Sequence, residues 1–584
     1  MAVLGACPVA GNFASAYVIM NETTTVAAAY ATAGFSTDST HIASSGTALA
    51  LTGIANAFAN AAQLVSVPTG TTLATTPNGN GTVPQATINT IANFLAACVN
   101  TTGPGSSGCT TLFNNILSGG ATGTAATDTA TAAIYLAHNP TPGHSELYTN
   151  YGSQQIINLC ALQVPGSPFN PALPCTGNSS TSYINEFANS YPNDFTLMLQ
   201  FSGVGSNAGT PVIDGSGNVW LLSYLIYQYS GPQFRENTQI QEFSPLGVQM
   251  SPSTGYPITG GRVSRGTGLA FDQNGNGWMP SGDFYYNGND DSTNLLVKIS
   301  SSGTATVCAG TGSGGLNYPG AFTIDGKGNI WIANIGQFGT ANTVVEFDKN
   351  CNPITTSGTT YTGGGLNDPA TVAADGSGNI WIGNLGFTVP NSLTVFGNSG
   401  IPVTTSSAYT GGGLEEPVGL GFDSAGKAWT TNQGGFGVSE FYNNGTAVSA
   451  TTLTGGGDNS YFQYSSGGLL SIDGAGNIWT ANYVDPTGLN STIGSAVTEY
   501  GNDRTVISPY NGYTGTTGYG IIRGAVPDGS GNIWATASYP CSCNSRNPTL
   551  NEYIGLSVPV ITPISAGLPS TFTVDGSSNL GTRP

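Results

Sequence analysis

Apolar and polar residues follow two different rhythms along this chain. Between residues 21 and 160 the apolar positions fall at helical spacing. Leu51, Ile54, Ala55, Phe58 and Ala62 share one face, and Ile88, Ile91, Ala92, Leu95 and Ala96 share another. The first set predicts a helix over 49–65, and the second predicts one that begins at Pro84, where proline suits a first turn. Asn21-Glu-Thr-Thr-Thr caps an Ala-rich run from Val26, and shorter helices are expected over 110–117, 125–138 and 145–159. After residue 193 the rhythm becomes that of strands: short apolar or alternating runs bounded by Gly, Asn and Ser, the first of them at 195–201. Two further strand pieces, 2–7 and 16–20, precede the helical stretch and read as the remnant of an upstream β domain.

The strand-rich part repeats itself. Asp375-Gly-Ser-Gly-Asn-Ile-Trp381 has seven versions, ending at Trp220, Trp278, Trp331, Trp381, Trp429, Trp479 and Trp534, which are all the tryptophans of the chain. In each, an Asp stands six residues before the Trp: Asp214, Asp272, Asp325, Asp375, Asp423, Asp473 and Asp528. A period of about 50 residues built from short strands is the mark of propeller blades. Each period reads as a Gly-rich turn and Pro, a strand, the Asp-Gly turn, a strand holding Trp, and a third strand; a fourth then crosses to the next repeat. The third strand ends in Glu-aromatic at Glu242, Glu346, Glu440, Glu499 and Glu552, whose carboxylates are expected at strand ends or facing solvent. The predicted organisation is a strand segment over 1–20 and an all-α domain over 21–160, followed by a Pro-rich connection over 161–193. A mainly β, seven-bladed β-propeller of four-stranded blades then spans 194–575, with a tail over 576–584. Either the strand at 195–201 or the run at 556–563 is expected to complete the closing blade.

Composition narrows the function classes. Of 584 residues only 7% are charged, against roughly 25% in an average domain, and the net charge is −19. Nucleic acid needs a basic stripe and anionic membranes a basic face; this chain has neither, and no run is long and apolar enough for a membrane span. An acidic, ion-poor surface rich in Thr and Asn looks extracellular or cell-surface. Two short cysteine loops agree: Cys98 with Cys109 and Cys160 with Cys175 are expected to pair as disulfides. The N-terminus lacks the basic start and long apolar run of a signal peptide, so an exported chain is expected to begin inside a longer precursor.

The repeat pattern Pro-x-x-(apolar)₃-Asp-x-x-Gly-Asn-Ile-Trp resembles the NHL-type repeat and is similar to the propeller of virginiamycin B (streptogramin) lyases. The helical stretch, through Asn21-Glu-Thr-Thr-Thr-Val and Ile88-Asn-Thr-Ile-Ala-Asn-Phe-Leu-Ala-Ala-Cys98, resembles a region preceding such propellers in large exported acidobacterial proteins. The lyase resemblance implies a catalytic histidine and a metal on the propeller face. His41, His138 and His144 all precede the repeats, so that histidine has no counterpart. Gluconolactonase-type relatives hold a divalent cation with Glu, Asn and Asp near the channel, and no ligand carries over onto this sequence.

The repeated Asp is expected to cap its own turn. Asn334, Asn384, Asn432 and Asn482 each follow a Trp by three residues and form a ring of candidates, either closing loops or binding a ligand. Two long variable loops carry Tyr224, Tyr227, Tyr229 and Arg235, and Asp283, Tyr285, Tyr286, Asp290 and Asp291. Exposed aromatics beside oxygen ligands suit sugar stacking, with Asp283, Asp290 and Asp291 as a surface Ca²⁺ site. The expected function is an exported, non-catalytic binding or assembly module whose partner is another protein or a glycan. It could self-associate into a homo-oligomer through residues 1–20. The alternative is a metal-dependent lyase- or lactonase-like enzyme on the propeller face.

Overall fold

The computed structural model describes residues 1–3, 17–143, 153–175, 191–227, 235–259, 267–282, 294–335, 342–356, 358–386, 391–435, 437–457, 470–482, 496–509, 511–513, 521–538 and 548–584, and side chains within these except 224–227, 235–237, 482 and 521. It is mainly β, with many small sheets and few helices. Seven of the sheets each hold one Asp…Trp turn, in chain order.

The turn explains why the motif is spelled as it is. In the fourth repeat Asp375 Oδ1 accepts the backbone N–H groups of Ser377 (2.9 Å) and Asn379 (2.8 Å), which reverses the chain. Gly378, at φ 75°, occupies the left-handed position that this reversal needs. Asp375 Oδ2 accepts the indole N–H of Trp381 at 3.0 Å, so the six-residue spacing is a hydrogen-bond length. All seven indoles make this bond, at 2.9 to 3.2 Å, and all seven tryptophans are fully buried.

Each turn joins antiparallel strands. The fourth sheet runs Pro369–Ala374, Ile380–Asn384 and Ser392–Phe396, with Val372 opposite Ile382 and Trp381 opposite Val395. A further edge is marked by isolated bridges, as at Leu393 with Tyr409 and Phe396 with Pro402. The first strands of neighbouring sheets approach one another, as Pro319–Ile324, Pro369–Ala374 and Pro417–Phe422 do in succession, so these strands lie towards the axis. Aromatic rings fill the wedges between sheets: Trp220 packs on Phe271, and Trp381 on Phe422, each in the next repeat. This is a β-propeller arrangement.

The two candidates for closing the last sheet are distinguished. Met198–Phe201 pairs with Thr549–Tyr553, so the strand ahead of the first repeat completes the sheet of the last one. Residues 556–584 form a strap instead. It bonds to the Asp-Gly turns of the seventh repeat (Val560 N to Asp528 O, 3.1 Å) and the sixth (Val558 N to Asp473 Oδ2, 3.2 Å). It then passes the first repeat at Gly215 and meets the second, where Ser565 O accepts from Gln273 at 2.9 Å. The third follows at Gly326, the fourth through Thr573 N to Gly376 O (2.9 Å) and the fifth through Ser578 N to Ser424 O (3.4 Å). Its end bonds to its own beginning, Ile561 N to Thr582 O at 3.1 Å. A β-carbon at Gly326, Gly376 or Gly474 would collide with strap backbone, which is why Gly follows Asp in those turns.

The helices are Glu22–Ala31, Ala48–Leu64, Gln85–Val99, Ser107–Asn115, Thr129–His138 and Gln154–Cys160. Asn21 and Thr24 close the first reciprocally, each side chain accepting the other's backbone N–H. This stretch is not purely helical: short strand pairs such as Val65–Ser66 with Thr71–Thr72 lie between helices, and Gly81–Thr82 joins the sheet of the seventh repeat. Its core is continuous with the ring seam, since Ile91 and Leu136 belong to the same cluster as Leu199, Val219 and Trp534. Asn89, Thr90 and Asn93 on one helix hold the Pro-rich connection through Pro171, Leu173 and Phe169. Both expected disulfides are present, Cys98–Cys109 and Cys160–Cys175.

The strand expected over 16–20 is not formed within the described residues 17–20. Tyr17 and Met20 are exposed, and Ile19 makes one backbone bond, to Val67. No described helix is long and apolar enough to cross a membrane.

Candidate functional site

The polar residues that the repeats share converge on the sheets themselves. Opposite each Trp on the third strand stands Glu242, Lys298, Glu346, Val395, Glu440, Glu499 or Glu552 in turn. The five carboxylates stand next to the ends of their strands, one of the two places expected of them, but they are buried and do not face solvent. The cause is a network. Glu346 Oε1 accepts from Asn329 of the turn (2.9 Å), and its Oε2 accepts the hydroxyl of Tyr361 (2.7 Å). Glu242 and Glu499 repeat this with Asn218 and Tyr256, and with Asn477 and Tyr513. Burial pushes Glu346 up to about 7 and Glu499 to about 8, and lifts Glu552 well above the ordinary carboxylate range. These shifts arise one per sheet, not in a common cleft.

Tyr256 and Tyr361, and Tyr409 of the fourth sheet, also pack on a glycine of the following sheet. A β-carbon at Gly303 would overlap Tyr256, one at Gly400 would overlap Tyr361, and one at Gly445 would overlap Tyr409. These glycines have φ of 73° to 80°, in the left-handed region. Three of the remaining junctions are built differently. At the ring seam Phe201 takes the Tyr place over Trp534 and against Gly247, and Glu552 Oε2, without a hydroxyl, is buried and unbonded. Glu552 Oε1 instead accepts from Asn532 and from Asn60 of helix Ala48–Leu64, both at 2.8 Å. Between the fifth and sixth sheets Leu453 replaces Tyr and Arg504 replaces Gly; Arg504 binds Glu440 Oε2 at 3.1 Å and Lys427 binds Oε1 at 2.8 Å. The third departure involves Cys308 and Cys351.

The ring of Asn candidates can be placed for three members. Asn334, Asn384 and Asn432 are buried at the ends of the second strands. Each Oδ1 accepts the backbone N–H of a residue just ahead of the first strand: Asn317 (3.1 Å), Asn367 (3.0 Å) and Glu415 (3.0 Å). Each Nδ2 donates within its own sheet, as Asn384 does to Ser392 and Thr394. Both ends of each amide are thus engaged in closing loops. Tyr224, Tyr227 and Arg235 lie on strands Val219–Tyr227 and Arg235–Phe243, and Asn482 ends Ile478–Asn482; their side chains lie outside the described residues. Tyr229, Asp283, Tyr285, Tyr286, Asp290 and Asp291 lie wholly outside them.

The loops that join second to third strands all leave from the rim where these Asn residues sit. The strap occupies the other rim, that of the Asp-Gly turns. Among the described residues no three His, Cys, Asp or Glu side chains are placed to hold a metal ion. The first strands carry a single charged residue, Arg523.

No protein-family model matches this chain. No curated protein is similar to it either. Among solved structures it is similar to a gluconolactonase from Xanthomonas campestris, at 11% identity and a TM-score of 0.34, over 60% of this chain and 96% of that one. It is also similar to regucalcin, a calcium-binding protein from Agrobacterium tumefaciens, at 15% identity and a TM-score of 0.33, over 51% and 92%. A third, of unknown function, is from Desulfotomaculum acetoxidans, at 15% identity and a TM-score of 0.27, over 44% and 80%. Likeness at this level is not evidence for a shared activity. Two of these neighbours are gluconolactonase- and regucalcin-like proteins, and they do not confirm the NHL and streptogramin-lyase resemblance of the repeats.

The networks that sequence reasoning missed did leave a signal. Asp and Trp keep a constant separation, and Glu recurs before an aromatic at the end of the third strand. Their partnership needed the register, which sets Trp331 directly across from Glu346.

Proposed function

We propose that this chain is an exported, non-catalytic propeller of seven four-stranded blades that binds another protein or a glycan at the cell surface. The supporting observation is the division of its two rims. The strap covers the Asp-Gly turns, and the shared Asp, Asn and Glu groups are consumed by bonds within sheets. Specificity is then left to the variable segments that follow the second strands of the first two repeats, through Tyr224, Tyr227 and Arg235 on strands Val219–Tyr227 and Arg235–Phe243 and through Tyr229, Tyr285 and Tyr286, with Asp283, Asp290 and Asp291 as oxygen ligands for Ca²⁺. The two disulfides fit an oxidising, extracellular setting.

The test measures metal content and melting temperature with and without chelator, followed by binding to immobilised glycans. Glycan retention that is lost when Tyr285 and Tyr286 are changed to Ala, with the melting temperature unchanged, is the expected result. A stoichiometric cation together with turnover of a lactone would replace this reading with the metal-dependent lactonase. Self-association through residues 1–20 is tested separately: deletion of that segment leaving the oligomeric state unaltered would eliminate it.

A further inference from the structure

The junction between the second and third sheets has exchanged its parts in a coordinated way. At three other junctions a Tyr at the outer edge of one sheet packs on a left-handed Gly in the turn of the next. Here that turn, Asp348-Lys-Asn-Cys351, holds Cys351 at φ 68°, a position whose β-carbon would exclude a Tyr ring. Among the described residues, the strands of the preceding sheet hold no Tyr. Its outer strand Ala305–Ala309 bulges opposite Leu296 and Val297 and delivers Cys308. The carboxylate that would have bonded the Tyr is also gone, replaced by Lys298.

The new parts meet. Both cysteines are free, half-buried and packed against the same cluster, that of Val345 and Phe347, and each shifts the other's titration, Cys308 upward and Cys351 downward. Neighbouring bonds fix the contact: Lys298 Nζ donates to Lys349 O at 2.9 Å, and Thr355 Oγ1 donates to Gly314 O at 2.8 Å. Two thiols that replace a ring-on-glycine contact, in a chain that already carries two disulfides, call for an explanation that packing alone does not give.

We propose that Cys308 and Cys351 are a disulfide-forming pair that staples the second sheet to the third. A small-molecule disulfide, such as oxidised glutathione, serves as oxidant. One protein thiolate attacks it, releasing one glutathione thiol and leaving a mixed disulfide. The second thiolate attacks the protein sulfur and releases the other glutathione. Two protein thiols are thereby oxidised and one external disulfide is reduced to two thiols, which take up the protons.

The experiment treats the full chain with oxidised glutathione, alkylates it under native conditions, digests it without reduction and maps cysteine peptides by mass spectrometry. The expected result is a peptide pair joined through Cys308 and Cys351 that separates on reduction. In C308S the Cys351 thiol becomes alkylated, and in C351S the Cys308 thiol does. Recovery of both cysteines alkylated from the oxidised wild-type protein would overturn the proposal, as would finding either joined to a different cysteine.

Discussion

Trp381 buries its whole indole, so its N–H must find an acceptor inside the sheet, and Asp375 supplies one while also holding the turn. Trp381→Phe removes that donor and opens space around it. It is expected to cost at least about 2 kcal/mol in urea denaturation. The seam offers the opposite experiment. Phe201→Tyr would set a hydroxyl beside the unbonded Glu552 Oε2, as Tyr256 does for Glu242, and is expected to raise stability by about 1 kcal/mol in the same assay. The buried carboxylates also make stability depend on pH. Glu346 and Glu499 sit at about 7 and about 8 when folded, against an ordinary 4.5, so the folded protein binds more protons than the unfolded chain between these values. The stability they contribute is therefore complete below about pH 4.5 and is lost as pH rises through 7 to 8. Melting temperature is expected to be higher at pH 5 than at pH 8, with a smaller difference in the Glu346→Gln/Glu499→Gln double variant.

At the scale of elements, the strap is the least regular part of the chain and has the widest reach. It contains no strand, yet its backbone meets turns from every repeat. Ending the chain after Gly555 is expected to lower the melting temperature by several degrees and to make the Asp-Gly turns accessible to protease, measured by calorimetry and limited proteolysis. Sequence reading found the turns, the second strands and most helices, because these follow from local spacing: Trp six residues after Asp, or Ile88 with Ile91 and Leu95. It did not find the strap, since residues such as Thr573 and Ser578 bond through backbone atoms, which any side chain supplies. It allowed the Glu residues either strand ends or solvent, and they prove to stand at strand ends yet buried, because only strand register shows that Asn329 and Tyr361 wait for Glu346. The Asn residues at the strand ends were legible as a ring, and their bonding partners were not.

For the whole molecule, the helices do not form a separate appendage. Asn60 completes the carboxylate network of the last sheet, Tyr30 donates to Phe195 O ahead of the closing strand, and one apolar core runs through both. Losing the helical stretch would therefore damage the ring where it is joined. The joint itself pairs segments about 349 residues apart. Chain entropy does not forbid this, since closure cost grows only with the logarithm of length, roughly 0.6 kcal/mol for each doubling. Order of events is the greater constraint. A chain emerging from a ribosome or a secretion channel has its closing strand, Met198–Phe201, long before Thr549–Tyr553 arrives to pair with it. Through that interval the strand has an open edge of the kind that recruits other chains. The two-residue strand Gly81–Thr82 already lies against its far side, bonded through the segment first made. The helical stretch thus acts as a built-in escort, holding one half of the seam until the other half exists.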